Sequence, residues 1–257
     1  MKFIEKKQYL KSYIKNNLLP LIDNDCIYLE LPYYPNIGDL LIWEGTQCFI
    51  TENNINCIYK ASKWTYSIPK IKENTTILLQ GGGNFGDIWR SNQNFRLKII
   101  KQFPNNKIII LPQTIYYKNL SILEEDAALM NQHKNLTICA RDKNSFTILE
   151  KFFIKANKLL LPDMAFYINQ SNIDFAQRNN NQNLFILRND KECKSGINLD
   201  FIKKYNIQNV SFRDWPTMEK SNFIQLVGTS LLKTNTLFNN KLSIILTIIT
   251  KHYTKIQ

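Results

Sequence analysis

The predicted fold is organised around the stretch Thr76-Ile77-Leu78-Leu79-Gln80-Gly81-Gly82-Gly83-Asn84-Phe85-Gly86-Asp87. Residues 76–79 are an apolar run that predicts a buried strand, and the residues that follow include four of the chain's eight glycines. Glycine lets a ligand approach the main chain and permits backbone angles that cradle an anion. The stretch therefore predicts a ligand edge at the end of a strand, with a tight strand-to-helix turn without a ligand as the alternative.

The glycines match neither standard phosphate-binding fingerprint. Residues 81–86 fit G-x-G-x-x-G in letters, but a dinucleotide site also needs an acidic residue about 20 positions on, after a second strand. Residues 94–103 instead have the pattern of a helix. A P-loop is excluded because no Lys-Ser/Thr pair follows the glycines.

The regular alternation of apolar runs and helical patterns predicts a doubly wound α/β fold. The run at 107–111 has no polar alternation, which is typical of a strand covered on both faces in a parallel sheet. The predicted strands are 26–30, 55–59, 76–79, 107–111, 136–140 and 158–161, and the predicted helices are an amphipathic first helix, 40–50, 94–103, 123–133 and 146–153.

Composition divides the chain into an N-terminal Rossmann-like domain at 1–168, a polar linker at 169–183 and a second, thin α/β domain at 184–257. The second part is predicted to have two or three strands and two helices, which would leave one sheet face poorly covered. We therefore expect it to be incomplete.

The formal charge of +12 attracts anions, but no nucleic-acid-binding signature accompanies it, so no nucleic-acid partner is predicted. The five cysteines form no C-x-x-C pair and are expected to be thiols of a reducing compartment. The N-terminus has no secretion signal and the two histidines lack metal-ligand spacing. We expect a cytoplasmic protein without a bound metal.

Doubly wound sheets bind ligands at the carboxyl ends of their strands. The polar residues predicted to lie there are Asn36, Asp39, Asn84, Asp87, Gln113, Arg141, Asp142 and Asp163. Asp39 also fits the N-cap of the helix at 40–50, and Arg141 could pair with Asp142 or Asp163. Only six residues of the chain are arginine, which makes each of them informative, since arginine offers a bidentate fork that lysine lacks.

Six segments, in this order, resemble the polysaccharide pyruvyl transferase family. They are Pro35-Asn36-Ile37-Gly38-Asp39, residues 79–87, Leu111-Pro112-Gln113, Ala140-Arg141-Asp142, residues 161–166 and Leu187-Arg188-Asn189-Asp190. The resemblance implies a GT-B-like pair of Rossmann-like domains around a cleft. It also implies transfer of a pyruvyl group from phosphoenolpyruvate, the donor substrate, to sugar hydroxyls as a ketal, without a cofactor. The implied acceptor is a surface polysaccharide or its lipid-linked precursor, which would allow peripheral contact with the inner membrane face.

The resemblance also implies roles for individual residues. Arg188 and Arg141 are expected to bind the donor's anionic groups, and Asp39 and Asp163 are candidate acid/base groups. The residues expected to bind substrate are Asn36, Gly38, Gly81, Gly82, Gly83, Asn84, Asp87 and Gln113. For the carboxylates and amides among them, helix capping or loop hydrogen bonding is the alternative. Trp43, Trp89 and Trp215 could stack on a sugar, although core packing is the better interpretation for most of them.

One family feature is missing. A Thr/Ser-Asp-Arg-Leu-His-Gly segment in the second domain is expected to act on the donor, and this chain contains no Arg-Leu-His. We therefore predict a C-terminally shortened chain. Two alternatives stay open: a GT-B-like glycosyltransferase that uses a nucleotide sugar, and a non-catalytic remnant or binding subunit of polysaccharide assembly.

Overall fold

The computed structural model describes residues 2–23, 25–34, 36–169, 183–186, 204 and 207–213. After an N-terminal helix, strands and helices alternate along residues 26–160 except at 57–86, where three strands follow one another. In chain order the elements are α1 (Phe3–Leu18), β1 (Cys26–Leu29), α2 (Ile37–Glu52), β2 (Cys57–Ala61), β3 (Thr76–Leu79), β4 (Gly82–Gly86), α3 (Arg90–Gln102), β5 (Ile108–Tyr116), α4 (Leu120–Met130), β6 (Leu136–Ala140), α5 (Lys143–Phe152), β7 (Asn157–Leu160), β8 (Asn183–Ile186) and β9 (Val210–Arg213), with 3₁₀ turns at Leu19–Leu21 and Met164–Tyr167.

The main sheet has seven strands, and all its pairings are parallel. Its order is β2-β1-β3-β5-β6-β7, and β4 pairs with the far end of β5. The chain moves outward from β1 to β2 and then crosses back to β3 on the other side. This reversal of strand order is the defining feature of a doubly wound sheet, so the predicted α/β class is confirmed.

Apolar side chains bury both faces of this sheet. One core contains Ile27 and Leu29 together with residues of α3, α4 and α5. The other contains Cys26 and Tyr28 together with residues of α1, α2 and the turn at Met164–Tyr167. Successive residues of β1 thus point to opposite cores, as the two-residue period of a strand requires. This double burial explains why the central strands read as continuous apolar runs.

The glycine-rich stretch is itself a strand. It does not form the tight strand-to-helix turn considered as the alternative to a ligand edge, because residues 82–86 form strand β4. β3 pairs with β5 at Ile77–Ile108, and β4 resumes that pairing at Gly82–Gln113 and continues to Gly86–Tyr116. Strand β5 accordingly does not end at Pro112-Gln113, as predicted, but runs to Tyr116.

The start of α2 also differs from its prediction. Asn36, not Asp39, is the N-cap, and its side-chain oxygen accepts hydrogen bonds from the backbone N–H groups of Gly38 and Asp39. The helix consequently begins three residues before the predicted start at Leu40. Asp39 lies in the first turn, where the partial positive charge of the helix end favours a carboxylate.

The C-terminal third is described only in part. β8 and β9 form a separate parallel pair within residues 183–213, the part of the chain in which two or three further strands were predicted. Most of the predicted linker, Arg188, Trp215 and the two late helices lie outside the described residues. Within the described segments, no helix has the length and apolarity needed to cross a membrane.

Candidate functional site

The reversal of strand order places a candidate site between the carboxyl ends of β1 and β3. In open α/β sheets, ligands bind outside the strand ends at this point. Here the segment after β1 leads to the N-terminus of α2, and the segment after β3 is the glycine strand β4. The segment after β6 begins with Arg141. Its backbone N–H donates a hydrogen bond to the Gln113 carbonyl of the neighbouring strand β5 at 3.0 Å.

Asp39 approaches the glycine strand closely. Its Oδ1 atom lies 3.0 Å from the position that a Cβ would occupy on Gly82. Gly82 also has a φ of +133°, a backbone conformation that residues with a Cβ atom rarely adopt. Glycine at this position therefore lets a carboxylate and the main chain of β4 lie side by side.

Tyr34 adds a hydroxyl to this region. It accepts a hydrogen bond from Asn84 Nδ2 at 3.4 Å and also interacts with Asp39. Burial raises the pKa of Tyr34, and the negative charge of Asp39 raises it further. The Tyr34 hydroxyl therefore keeps its proton at neutral pH and can donate a hydrogen bond.

Arg141 is held in one orientation by two side chains. Its Nε donates to Thr114 Oγ1 at 2.8 Å, and its Nη1 pairs with Asp163 Oδ2 at 2.6 Å. Of the two carboxylates considered as partners for Arg141, the ion pair therefore forms with Asp163. The third nitrogen, Nη2, lies 3.2 Å from the position of a Cβ on Gly83 and has no hydrogen-bond partner among the described residues. The guanidinium is thus preorganised, with one donor group directed at the glycine strand.

Asp142 supports Arg141 indirectly. It caps α5 by accepting from Ser145 N at 2.8 Å, and it accepts from the Thr114 hydroxyl at 3.0 Å. Burial opposes its charged form, but these hydrogen bonds and the charge of Arg141 outweigh burial and lower the pKa of Asp142. Its carboxylate therefore stays ionised and orients Thr114, which in turn accepts from Arg141.

A buried ion pair lies beneath the glycine strand, and sequence reasoning missed it. Arg96 is fully buried, and its Nη2 lies 2.8 Å from Glu30 Oε1. Arg96 also donates to both oxygens of Asn84, with Nη1 at 3.1 Å from the backbone carbonyl and Nη2 on the side-chain carbonyl. The Asn84 amide is thereby fixed with its NH₂ group toward Tyr34. The scarcity of arginine marked Arg96 as informative, but no pattern paired it with Glu30.

Glu30 has an unusual environment for a carboxyl group. It follows β1 with a φ of 68° and is 2% exposed. Burial raises its pKa to about 7, opposed by the charges of Arg96 and Lys63 and by the hydrogen bond from Asn92. Glu30 is thus poised between its neutral and charged forms near neutral pH.

The remaining predicted residues are placed as follows. Gln113 is fully buried and donates to the Gln80 carbonyl at 2.6 Å. A Cβ on Gly81 would lie 2.8 Å from the Pro112 carbonyl oxygen. Glycine at this position therefore lets the backbone at 81 approach that of β5. The Asp87 carboxylate accepts from the backbone N–H groups that follow β5, at 118 and 119, which is the loop contact considered as its alternative.

Three further expectations concern Trp43, Arg188 and a metal site. Trp43 is buried at 4% exposure and packs in the core rather than facing a ligand. Arg188 lies outside the described residues, so its role stays a prediction. Within the described part of the chain, no group of three or more His, Cys, Asp or Glu side chains could hold a metal ion.

Comparison with known proteins identifies the family. The family model described as "Polysaccharide pyruvyl transferase" matches residues 36–235, which include the α2 N-terminus, the glycine strand and Arg141. The chain belongs to the polysaccharide pyruvyl transferase family. The resemblance deduced from the ordered motifs is therefore confirmed.

Pyruvyl transferases of two organisms are among the relatives. "Putative pyruvyl transferase EpsO" of Bacillus subtilis (strain 168) is 36% identical over 190 residues, which cover 72% of this chain and 58% of EpsO. "Pyruvyl transferase 1" of Schizosaccharomyces pombe (strain 972 / ATCC 24843) is 30% identical over 150 residues, covering 54% of this chain and 37% of the yeast protein. The chain thus matches less than two thirds of the length of either relative.

A solved structure supports the fold. A functionally uncharacterised protein from Klebsiella pneumoniae subsp. pneumoniae NTUH-K2044 superposes with a TM-score of 0.50 at 18% identity. The match covers 75% of this chain and 67% of the Klebsiella chain. At this identity the likeness concerns the α/β fold alone.

Proposed function

We propose that this pyruvyl transferase family member takes part in transferring a pyruvyl group from phosphoenolpyruvate to two hydroxyls of one sugar residue. The product is a cyclic ketal and the leaving group is inorganic phosphate. The acceptor is a surface polysaccharide or its lipid-linked precursor, and the reaction takes place in the cytoplasm or at the inner membrane face. Family membership and the pyruvyl transferase names of the relatives support this proposal.

The arrangement of Arg141 is the observation that carries the proposal. Phosphoenolpyruvate presents a carboxylate and a phosphate, and a guanidinium binds either anion through directed, charge-assisted hydrogen bonds. Thr114 and Asp163 already fix two nitrogens of Arg141, so little side-chain entropy is lost when Nη2 meets an anion. Its position beside Gly83 would bring that anion against the main chain of β4.

The transfer forms two new C–O bonds at the same carbon of the donor, the first by addition and the second by displacement of phosphate. One sugar hydroxyl adds to C2 while a proton goes to the methylene carbon C3, which becomes a methyl group. The second hydroxyl then displaces phosphate from C2, and its proton leaves with the phosphate. A carboxylate beside the reacting hydroxyls can accept a proton or hold a hydroxyl in place. We assign this role to Asp39, beside Gly82, and a positioning role to Asp163, which orients Arg141.

The second domain supplies the other half of this proposed site. We propose a GT-B-like arrangement in which Arg188 binds the second anionic group of the donor. Neither the addition of the first hydroxyl nor the displacement of phosphate requires a metal or a resident cofactor.

Binding of phosphoenolpyruvate to the full chain, measured by isothermal titration calorimetry, tests the proposal. Arg141→Lys should weaken binding by about tenfold to a hundredfold, because lysine keeps the charge but loses a directed hydrogen bond worth about 1.5–3 kcal/mol. Arg90→Lys is the matched control, since Arg90 pairs with Asp126 on α4. Unchanged affinity in Arg141→Lys would remove Arg141 from the donor site. Binding of a UDP-sugar in place of phosphoenolpyruvate would instead favour the glycosyltransferase alternative.

A further inference from the structure

A defined turn after β2 presents a tryptophan at the carboxyl edge of the sheet. Ser62 is fully buried, and its hydroxyl oxygen accepts from the backbone N–H groups of Trp64 at 3.3 Å and Thr65 at 3.2 Å. In return, Thr65 Oγ1 accepts from the backbone N–H of Ser62 at 2.9 Å. These reciprocal bonds fix the backbone on both sides of Trp64.

Trp64 is exposed although its position is fixed. About half of its surface, 51%, remains open to solvent. The Lys63 ammonium lies 4.6 Å from the centroid of the indole ring, and the same ammonium donates to Ser91 and Asn92, each at 2.8 Å. The lysine is therefore held against the indole by two further contacts rather than moving freely in solvent.

Tyr34 connects Trp64 to the candidate site. The two rings are 6.1 Å apart between centroids at an interplanar angle of 76°. The hydroxyl at the other end of Tyr34 meets Asn84 and Asp39. A single side chain thus separates the exposed indole from the polar groups beside the glycine strand.

We propose that Trp64 is the stacking platform for a pyranose ring of the saccharide acceptor. This inference rests on the proposed function and extends it to the acceptor side. Because Lys63 lies over one face of the indole, the sugar would stack on the other face, where the electron-rich ring attracts the C–H groups on the apolar face of a sugar. The Lys63 ammonium has one N–H left after its bonds to Ser91 and Asn92, and it can donate to a sugar hydroxyl, which suits a hydroxylated ring better than an apolar partner surface. A sugar stacked on Trp64 would lie next to Tyr34, the residue whose hydroxyl meets Asp39.

Fluorine NMR of the full chain labelled with 5-fluorotryptophan tests the platform. The chain has four tryptophans, and the resonance that disappears in Trp64→Phe identifies Trp64. The probes are methyl β-D-glucopyranoside, methyl β-D-galactopyranoside and cellobiose. At least one probe should shift the Trp64 resonance, and Trp64→Ala should weaken its binding by about tenfold. Ile68→Ala, at another exposed apolar residue, should leave glycoside binding unchanged.

The outcomes separate the platform from the donor site. If Trp64→Ala binds phosphoenolpyruvate normally and loses the glycoside, the platform is supported. If no probe shifts the Trp64 resonance, or if Trp64→Ala binds glycosides as the native chain does, the platform is refuted whatever the donor result. If phosphoenolpyruvate fails to bind while glycosides still shift Trp64, the donor assignment fails and the sugar platform stands.

Discussion

Replacing Glu30 with glutamine tests whether the buried network beneath the glycine strand responds to pH. Glutamine has nearly the volume of glutamate and retains an oxygen that can accept from Asn92 and Arg96. It cannot ionise. The substitution therefore removes the titration of this group while most of the packing around it remains.

The magnitude follows from the pKa of Glu30. Burial raises this pKa from an ordinary value of 4.5 to about 7, so the folded protein binds the proton more tightly than the unfolded chain does. The resulting stabilisation is fully present below pH 4.5 and is lost as the pH rises through about 7. Between pH 5 and pH 8 this linkage amounts to about 2–3 kcal/mol of unfolding free energy.

Urea unfolding at a series of pH values from 5 to 8 measures this dependence. The native chain should lose about 2–3 kcal/mol more than Glu30→Gln over this interval, because only the native chain carries the titrating group. Glu52→Gln is the matched control, since Glu52 is a partly exposed carboxylate whose surface ion pair with Lys11 contributes little to stability. Parallel curves for the native chain and Glu30→Gln would refute the assignment of a raised pKa to Glu30.

Three substitutions at the carboxyl edge of the sheet have distinct expected effects. Gly86→Ala should destabilise the fold by about 3 kcal/mol or more, since its Cβ would lie 1.8 Å from the Tyr116 carbonyl oxygen at a φ of +132°; thermal unfolding close to native would contradict this. Gly83→Ala should fold normally but weaken phosphoenolpyruvate binding, because its Cβ would lie 3.2 Å from Arg141 Nη2; calorimetry measures the loss, and native affinity would place the donor elsewhere. Asn36→Ala should cost about 1 kcal/mol through loss of the α2 cap, and a change below the error of urea unfolding would show that another group caps the helix.

The central strands could be predicted from the sequence because burial on both faces leaves a local signal. β6 was predicted at 136–140 and is found at Leu136–Ala140, and β3 likewise occupies the predicted 76–79. In both strands every residue is buried, so an unbroken apolar run marks the whole element. Helix starts were harder to predict, since α2 depends on which of two capping side chains reaches the free N–H groups.

β4 could not be predicted in the same way, because it depends on a partner outside its own sequence. Glycine has a low intrinsic preference for strands, so residues 82–86 were not expected to form one. Pro112 indicated that β5 ends before it, because proline cannot donate to the hydrogen-bond ladder. In the structure the register between β5 and β6 shifts between Ile110 and Gln113, which places Pro112 at an irregularity of the ladder. Prolines are tolerated at such positions, so β5 continues and β4 pairs with its far end.

The same dependence on distant contacts divides the glycines into two groups that the sequence could not distinguish. Gly81 and Gly86 are opposed by backbone carbonyls of β5, so their lack of a side chain serves strand packing. Gly82 and Gly83 are opposed by Asp39 and by Arg141, so their lack of a side chain brings a carboxylate and a guanidinium onto the same strand. A cluster of glycines indicates that other groups approach the main chain closely. Only the identity of those groups, backbone or charged side chain, shows where a ligand could bind. On this reasoning alanine at Gly81 or Gly86 should impair folding first, whereas alanine at Gly83 should impair ligand binding first.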